Sequence, residues 1–473
     1  MSETTIARRE PVAPTARLEI LDPSNGELLA QLPAAGADEV AEAVAAARAA
    51  QPGWARTPAG ERAAVLKRWA GRLREHAGEL ARAQTREMGK PISDSDGGVQ
   101  AGIGTIEQYA ELGPLHRGRT LHGSPDASDA MVRAPRGVAA VLLPWNDPVA
   151  LLCQGVAAAL ATGNTVVVKP SERAPLAVAH AVELLTEEAP AGAVRLLQGG
   201  AQTGALLVES DGIDVVLHTG SVAAGRAIAV ACARRLRKAV LELGGNDALI
   251  VDRDVDPEWA AGQAASGAFA NAGQICVAVE RIYVHEAIAE PFTRALAERA
   301  RALRCGPGID PATELGPLVD RRHRDAVHAQ VQEALADGAR CLAGGEIPHG
   351  DGSFYPATVL DRVAPQSRIM REETFGPVAP VLAVRSFDAA LEAALEGDYG
   401  LAATVLTGDD RNAQRALGEL DVGTVKVNAV WGGAPGGAAE PRRASGLGLG
   451  YGPELLDELT TLRVTHREPL PLR

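Results

Sequence analysis

Cys276 ends the run Asn271-Ala272-Gly273-Gln274-Ile275-Cys276, and a thiol in that setting is a candidate covalent nucleophile. Two other stretches carry the groups such a nucleophile requires. Glu242, in Glu242-Leu243-Gly244-Gly245, offers a carboxylate to activate water, and Asn146, in Pro144-Trp145-Asn146-Asp147-Pro148, offers a side-chain amide to stabilise an oxyanion. Together they describe attack on a carbonyl and passage through a thioester. Taken alone, Glu242 reads equally well as a surface acid on a strand.

The other cysteines, at 153, 232, 305 and 341, sit in apolar or Arg-rich surroundings and read as small buried hydrophobes. Five cysteines, odd in number and widely spaced, fit neither a disulfide framework nor a zinc-ligand pattern, so reduced thiols and no metal are expected.

Positioning three groups so far apart in sequence requires an α/β scaffold, and the pattern supplies one. Asp38-Glu39 opens an Ala-rich helical run to Ala50. A second run from Gly60 to about Arg86 places Val65, Leu66, Trp69 and Leu73 at helical spacing, so the first hundred residues read as mainly helix. Short apolar runs follow at Val138–Leu143, Thr165–Val168 and Val215–Leu217, each ending in a polar turn before a helical stretch. That alternation predicts parallel strands with crossover helices, a doubly wound sheet that binds ligands at the carboxyl ends of its strands. A second such series follows Gly245, with strands expected at Arg281–Val284, Val378–Val384 and Thr424–Val427. Two doubly wound lobes result. The segment from Arg117 to Arg136 reads as an excursion, a hairpin suited to assembly.

The 473 residues allow about two to four domains of ordinary size. No run approaches the ~18 uninterrupted apolar residues of a membrane span, and the net charge of −13 repels nucleic acid and anionic lipid. The start Met1–Glu10 has no apolar core of a secretory signal, which points to the cytoplasm.

Neither a G-x-G-x-x-G fingerprint nor a P-loop is present. Two substitutes stand at strand ends. In Val168-Lys169-Pro170-Ser171-Glu172, a cation and an acid three residues apart suit the hydroxyls of an adenosine ribose, though a solvated strand end would look the same. In His218-Thr219-Gly220-Ser221-Val222-Ala223-Ala224-Gly225, a strand passes into a helix whose free N–H groups suit a pyrophosphate, or simply make a turn.

In order along the chain, P-W-N-x-P, K-P-S-E, T-G-S-x-x-x-G, E-L-G-G, G-Q-x-C and Glu372-Glu373-Thr374-Phe375-Gly376-Pro377 resemble the NAD(P)-dependent aldehyde dehydrogenase superfamily over nearly the whole length. The resemblance implies a cofactor-binding domain (1–116 and 137–243), a catalytic domain (244–443) and oligomerising or bridging segments (117–136 and 444–473), assembled as a homodimer or homotetramer. It also implies roles. Cys276 attacks the aldehyde, the Asn146 amide and the Cys276 N–H hold the oxyanion, hydride passes to the nicotinamide, and Glu242 directs water onto the thioester. Lys169, Ser171 and Glu172 would contact the adenosine side of the cofactor, and Gly220, Ser221 and Gly225 its pyrophosphate. Trp145 would line the cleft, Leu243 and Gly244 would meet the cofactor, Glu373 would bind the nicotinamide ribose and Phe375 would flank the ring. Glu172, placed at the ribose 2′-hydroxyl, favours NAD over NADP, although Lys169 tempers that preference.

The chain departs from the family near its C-terminus. Relatives carry P-F-G-G-x-K-x-S-G, whereas Pro435–Gly446 lacks the Phe, keeps no Lys in place and holds extra residues; Ala201 stands where relatives often have Gly. Substrate identity therefore rests on Asp147, Leu151 and Gln154, which share the face of a helix that the resemblance places along the aldehyde tunnel. That face is partly polar, and five Trp, five Tyr and five Phe leave little material for an aromatic box, so a small polar aldehyde is expected. Asp147 also suits an N-cap before Pro148. The rival substrate is succinate semialdehyde, its carboxylate paired with Arg442 or Arg443. A CoA-acylating semialdehyde dehydrogenase and a catalytically idle binding protein are the remaining alternatives, both disfavoured by Glu242 beside Cys276 and Asn146.

Overall fold

The computed structural model describes residues 17–433 and 437–470. The expectations for Met1–Glu10 and for Pro435 and Gly436 lie outside these residues.

Two parallel sheets organise the chain. The first has six strands in the order Gly446–Leu447, Lys238–Glu242, Val215–Thr219, Val138–Leu142, Thr165–Lys169, Val194–Leu196, and only Gly446–Leu447 runs antiparallel to its neighbour. Helices cover both faces, so Val138–Leu142 and Thr165–Lys169 are buried at every position. This is why they read as continuous apolar runs instead of alternating ones. From Val138–Leu142 the chain winds first to one side and then, at Val215–Thr219, to the other. The crevice lies at that reversal, outside the carboxyl ends of these two strands.

The second sheet has seven strands, ordered Arg340–Ala343, Thr358–Asp361, Val378–Val384, Val279–His285, Asp247–Val251, Ala402–Leu406, Thr424–Val427. All neighbours are parallel except Arg340–Ala343 with Thr358–Asp361. The predicted strands at Val378–Val384 and Thr424–Val427 match to the residue.

The expected hairpin is also present. Arg119–Leu121 pairs with Ser128–Pro135, and Thr460–Arg467 adds a third antiparallel strand along eight residue pairs. The segment after residue 443 does more than bridge, because Gly446 and Leu447 pair with Glu242 and Leu241 and extend the first sheet.

The helical run expected from Gly60 to Arg86 is two helices, Ala59–Glu75 and Ala77–Met88, broken at His76. His76 leaves helical geometry at ψ 11°, its N–H closing the first helix on Arg72 O while its carbonyl begins the second. Trp69 and Leu73 are fully buried, and the Trp69 indole donates to Ala181 O at 3.1 Å, so the helix is fixed by packing and by a satisfied polar tip. The opening hairpin Arg17–Leu21 with Leu28–Pro33 carried no recognised sequence signal.

Candidate active site

Cys276 follows a strained turn. Asn271 (φ 48°), Ala272 (φ 54°) and Gly273 (φ 71°) are three consecutive left-handed residues between the helix Pro257–Phe269 and the strand Val279–His285. Non-glycine residues in that region cost about 1–2 kcal/mol each, so something must hold them. Side-chain amides do so. Asn271 Nδ2 donates to Gln274 O (3.2 Å) and Asn146 O (3.3 Å), Gln274 Nε2 donates to Asn271 O (3.0 Å), and Gln274 Oε1 accepts from Val319 N–H (2.9 Å). Gly273 is required as well, since a Cβ there would lie 2.1 Å from Gly376 O.

Asn146 sits just beyond the strand Val138–Leu142, buried, with Nδ2 donating to Gln274 O at 3.1 Å. That bond takes one of its two N–H groups and fixes the amide two residues from the thiol. The second N–H is left for an oxyanion.

Glu242 ends the strand Lys238–Glu242, where the turn Gly244-Gly245 brings the chain to Cys276: a Cβ on Gly245 would meet Cys276 O at 2.7 Å. The carboxylate accepts from Gly450 N–H at 2.9 Å, and Gly450 O in turn accepts from Gln154 Nε2 at 2.5 Å. Burial raises Glu242 to about 8, the Gly450 bond opposing it. Burial likewise pushes the Cys276 thiol up to about 12, with Asp247, Glu242 and Glu373 adding negative charge nearby. Burial thus favours the protonated form of both groups.

The crevice of the first sheet opens into a cavity of about 740 Å³. Trp145, Lys169, Ser171, Glu172, Gly220 and Ser221 are in its wall. Ser221 caps the helix Val222–Arg234 by accepting from Ala224 N–H at 3.3 Å, so the positive end of that helix faces the cavity. Lys169 is buried, its ammonium donating to Pro170 O (2.6 Å) and Gly199 O (2.8 Å), while Glu172 is exposed. Ala201 lines the same wall, opening the helix Ala201–Glu209.

Gly225, Leu243, Gly244, Glu373 and Phe375 are not among the residues lining this cavity. A Cβ on Gly225 would strike the Leu243 side chain at 2.5 Å, and one on Gly244 would strike the Glu373 carboxylate at 2.3 Å, so both glycines permit close packing. Glu373 accepts from Gly245 N–H at 2.9 Å, and burial together with the neighbouring Glu280 raises its pKa. Phe375, at φ 52°, packs edge to face on Trp145 with ring centroids 5.4 Å apart.

Several contributors carried no distinctive sequence signal. Buried Glu280 holds the Phe375 turn by accepting from Thr374 N–H (2.8 Å) and Phe375 N–H (2.7 Å). His218 lines the cavity with neither ring nitrogen bonded, and burial lowers it to about 4. Gly450 acts only through its backbone N–H and carbonyl, which no residue type announces.

The tunnel residues divide. Asp147 occupies the N-cap position of the helix Pro148–Ala161, but its side chain caps nothing; it turns instead to Lys90 Nζ at 3.2 Å, a charge pair. Leu151 and Gln154 line a cavity of about 20 Å³ with Glu242 and Gly450, which is room for about one water. The polar Gln154 thus has a positioning partner that the sequence did not disclose. Arg442 and Arg443 are paired within the chain. Both pair with Asp421, and Arg443 also donates to Leu395 O and Gly397 O, because the short strand Arg442–Arg443 is tied to Tyr399–Gly400.

The model of the aldehyde dehydrogenase family matches residues 12–465. The chain is 36% identical over 442 residues to a non-phosphorylating aspartate-semialdehyde dehydrogenase of Halomonas elongata, covering 93% of this chain and 90% of the relative. It is 34% identical to the NADP(+) succinate-semialdehyde dehydrogenase GabD of Escherichia coli, covering 87% and 86%. The crystal structure of betaine aldehyde dehydrogenase from Staphylococcus aureus in complex with NAD+ superposes with a TM-score of 0.93 at 31% identity, over 97% of this chain and 93% of that one.

Proposed function

The chain belongs to the aldehyde dehydrogenase family, and on that premise we propose that it oxidises a small polar aldehyde to its carboxylic acid, with NAD preferred over NADP. The observation that carries the reading is the convergence on one cleft of the Cys276 thiol, the Asn146 amide fixed through Gln274 O, and the Glu242 carboxyl held by Gly450.

Cys276 Sγ gives its proton to water and bonds to the aldehyde carbon, and the carbonyl oxygen becomes an oxyanion held by Asn146 Nδ2–H and the Cys276 N–H. Collapse of the oxyanion re-forms the carbonyl as a thioester and expels hydride from this carbon, which NAD held in the cavity would accept. Ionised Glu242 then takes a proton from water as the water oxygen adds to the thioester; the C–S bond breaks, the acid departs and the thiol is restored. The cavity suits the dinucleotide: Lys169, Ser171 and Glu172 would meet the adenosine ribose, and the Ser221-capped helix end the pyrophosphate. Trp145 and Phe375 would flank the nicotinamide, and Glu373 its ribose.

Polarity around Asp147 and Lys90 supports a substrate bearing an amino or hydroxyl group. A semialdehyde is the second reading, favoured by the names of two relatives and not by Arg442 or Arg443. Comparing kcat/KM for an aminoaldehyde, aspartate and succinate semialdehydes, a long aliphatic aldehyde and benzaldehyde decides. A best rate on the aliphatic or aromatic compound removes the polar reading. Acyl-CoA formed in the presence of CoA would point to the acylating type, and no cofactor reduction with any aldehyde to an idle member.

The three-stranded sheet has two open edge strands and leaves Leu121, Val132, Leu462 and Val464 exposed, which supports assembly into a homodimer or homotetramer through it. Among the described residues no helix is long and apolar enough to cross a membrane. Five unpaired cysteines support a reducing compartment, the cytoplasm.

A further inference from the structure

The break at His76 places a second set of ligating groups on the outer face of the first lobe, apart from both cavities. His76 sits between two helices, Glu79 lies in the first turn of the second, and His180 projects from the helix Leu176–Thr186. Among the described residues these three form a group in which one ligand atom from each lies within 4.8 Å of the other two. His76 Nδ1 and Glu79 Oε2 are 3.1 Å apart, and the two imidazole rings meet edge-on with centroids 5.4 Å apart.

We infer that His76, Glu79 and His180 form a binding site for a divalent transition-metal ion. Bonds of about 2.0–2.2 Å to nitrogen and oxygen put ligand atoms roughly 3.3 Å apart in a tetrahedral centre, so the first pair is already spaced for it. Rotation of the two imidazoles closes the remainder. Imidazole and carboxylate ligands suit zinc, nickel, copper or cobalt in preference to magnesium or calcium. The Glu79 carboxylate stands in the first turn of its helix, where its charge offsets the positive helix end. Arg82 also faces Glu79 and competes for it, but it is exposed and free to turn to solvent. The Glu79 side chain is 59% exposed, so water completes the coordination. An ion there ties the Glu75–Ala77 junction to the helix Leu176–Thr186.

The site is independent of the catalytic reading, and its test avoids the catalytic thiol. In the full-length Cys276→Ser protein, titration with Co2+ followed by visible absorption, and with Zn2+ by calorimetry, should give one ion per chain with a nitrogen and oxygen spectrum. Adding His180→Ala or Glu79→Gln should weaken binding by about tenfold or more. On the wild-type background His180→Ala should leave aldehyde turnover unchanged. Absence of saturable binding, equal affinity in the variants, or a thiolate charge-transfer band would each overturn the assignment.

Discussion

Glu242 and Cys276 are coupled by charge before any substrate arrives. Burial raises both, and an ionised Glu242 would raise Cys276 further, so the resting pair leans toward its protonated forms near neutrality. The sign of the pH dependence follows. Glu242 is a base only when ionised, so thioester hydrolysis should rise as pH passes through about 8 and fall below it; Glu242→Gln should erase that inflection. Pre-steady-state traces separate the two groups. Cys276→Ser should show neither burst nor turnover, whereas Glu242→Gln should release one equivalent of reduced cofactor and then run about 10²–10⁴-fold slower. Full steady-state turnover in Glu242→Gln would remove its assignment as the base. Glu172, exposed at the rim, would repel a 2′-phosphate, so Glu172→Ala should shift the kcat/KM ratio toward NADP. No shift would place the discrimination elsewhere, with Arg173 and Arg322 of the same wall the next groups to vary.

At the scale of elements, the proposed nucleophile Cys276 follows a turn that opposes backbone preference and survives through side-chain hydrogen bonds. Gly273→Ala tests this. Its Cβ would overlap Gly376 O while φ stays at 71°, so the turn must shift and carry Gln274 and Cys276 with it. We expect a loss of about 1–3 kcal/mol in unfolding free energy and a larger fall in kcat than stability alone explains. Unaltered kcat would mean that the left-handed turn is not what aims the thiol. Glu87 shows the same economy in a helix: its buried carboxylate accepts from Leu176 N–H (2.6 Å) and Ala177 N–H (2.9 Å), satisfying the start of the helix Leu176–Thr186.

At the scale of the molecule, the two sheets meet where strand ends of the first face the Cys276 turn entering the second. The return of Gly446 and Leu447 to pair with Glu242 and Leu241 ties the last part of the chain to the proposed base. The three-stranded sheet projects from this body with Leu462 50% and Val464 66% exposed. Leu462→Lys with Val464→Lys should lower the mass measured by light scattering to that of a smaller assembly while leaving helix content intact. An unchanged mass would assign assembly to another surface.

The sequence alone determined the class of the two sheets, the strands Val378–Val384 and Thr424–Val427 and the hairpin after Arg117, and it nominated Cys276, Glu242 and Asn146 as the proposed catalytic groups. These are carried by local apolar runs and by residue types with few alternative uses. Tertiary structure decided what depends on long-range geometry. Asp147 turned from its helix to Lys90, Gln154 proved to hold Gly450, and Arg442 and Arg443 were spent on Asp421. In each case the partner is a backbone group or a charge distant in the chain, and only packing brings the two together. The His76, Glu79 and His180 cluster has the same origin, because two helices had to meet before its ligands could share a point.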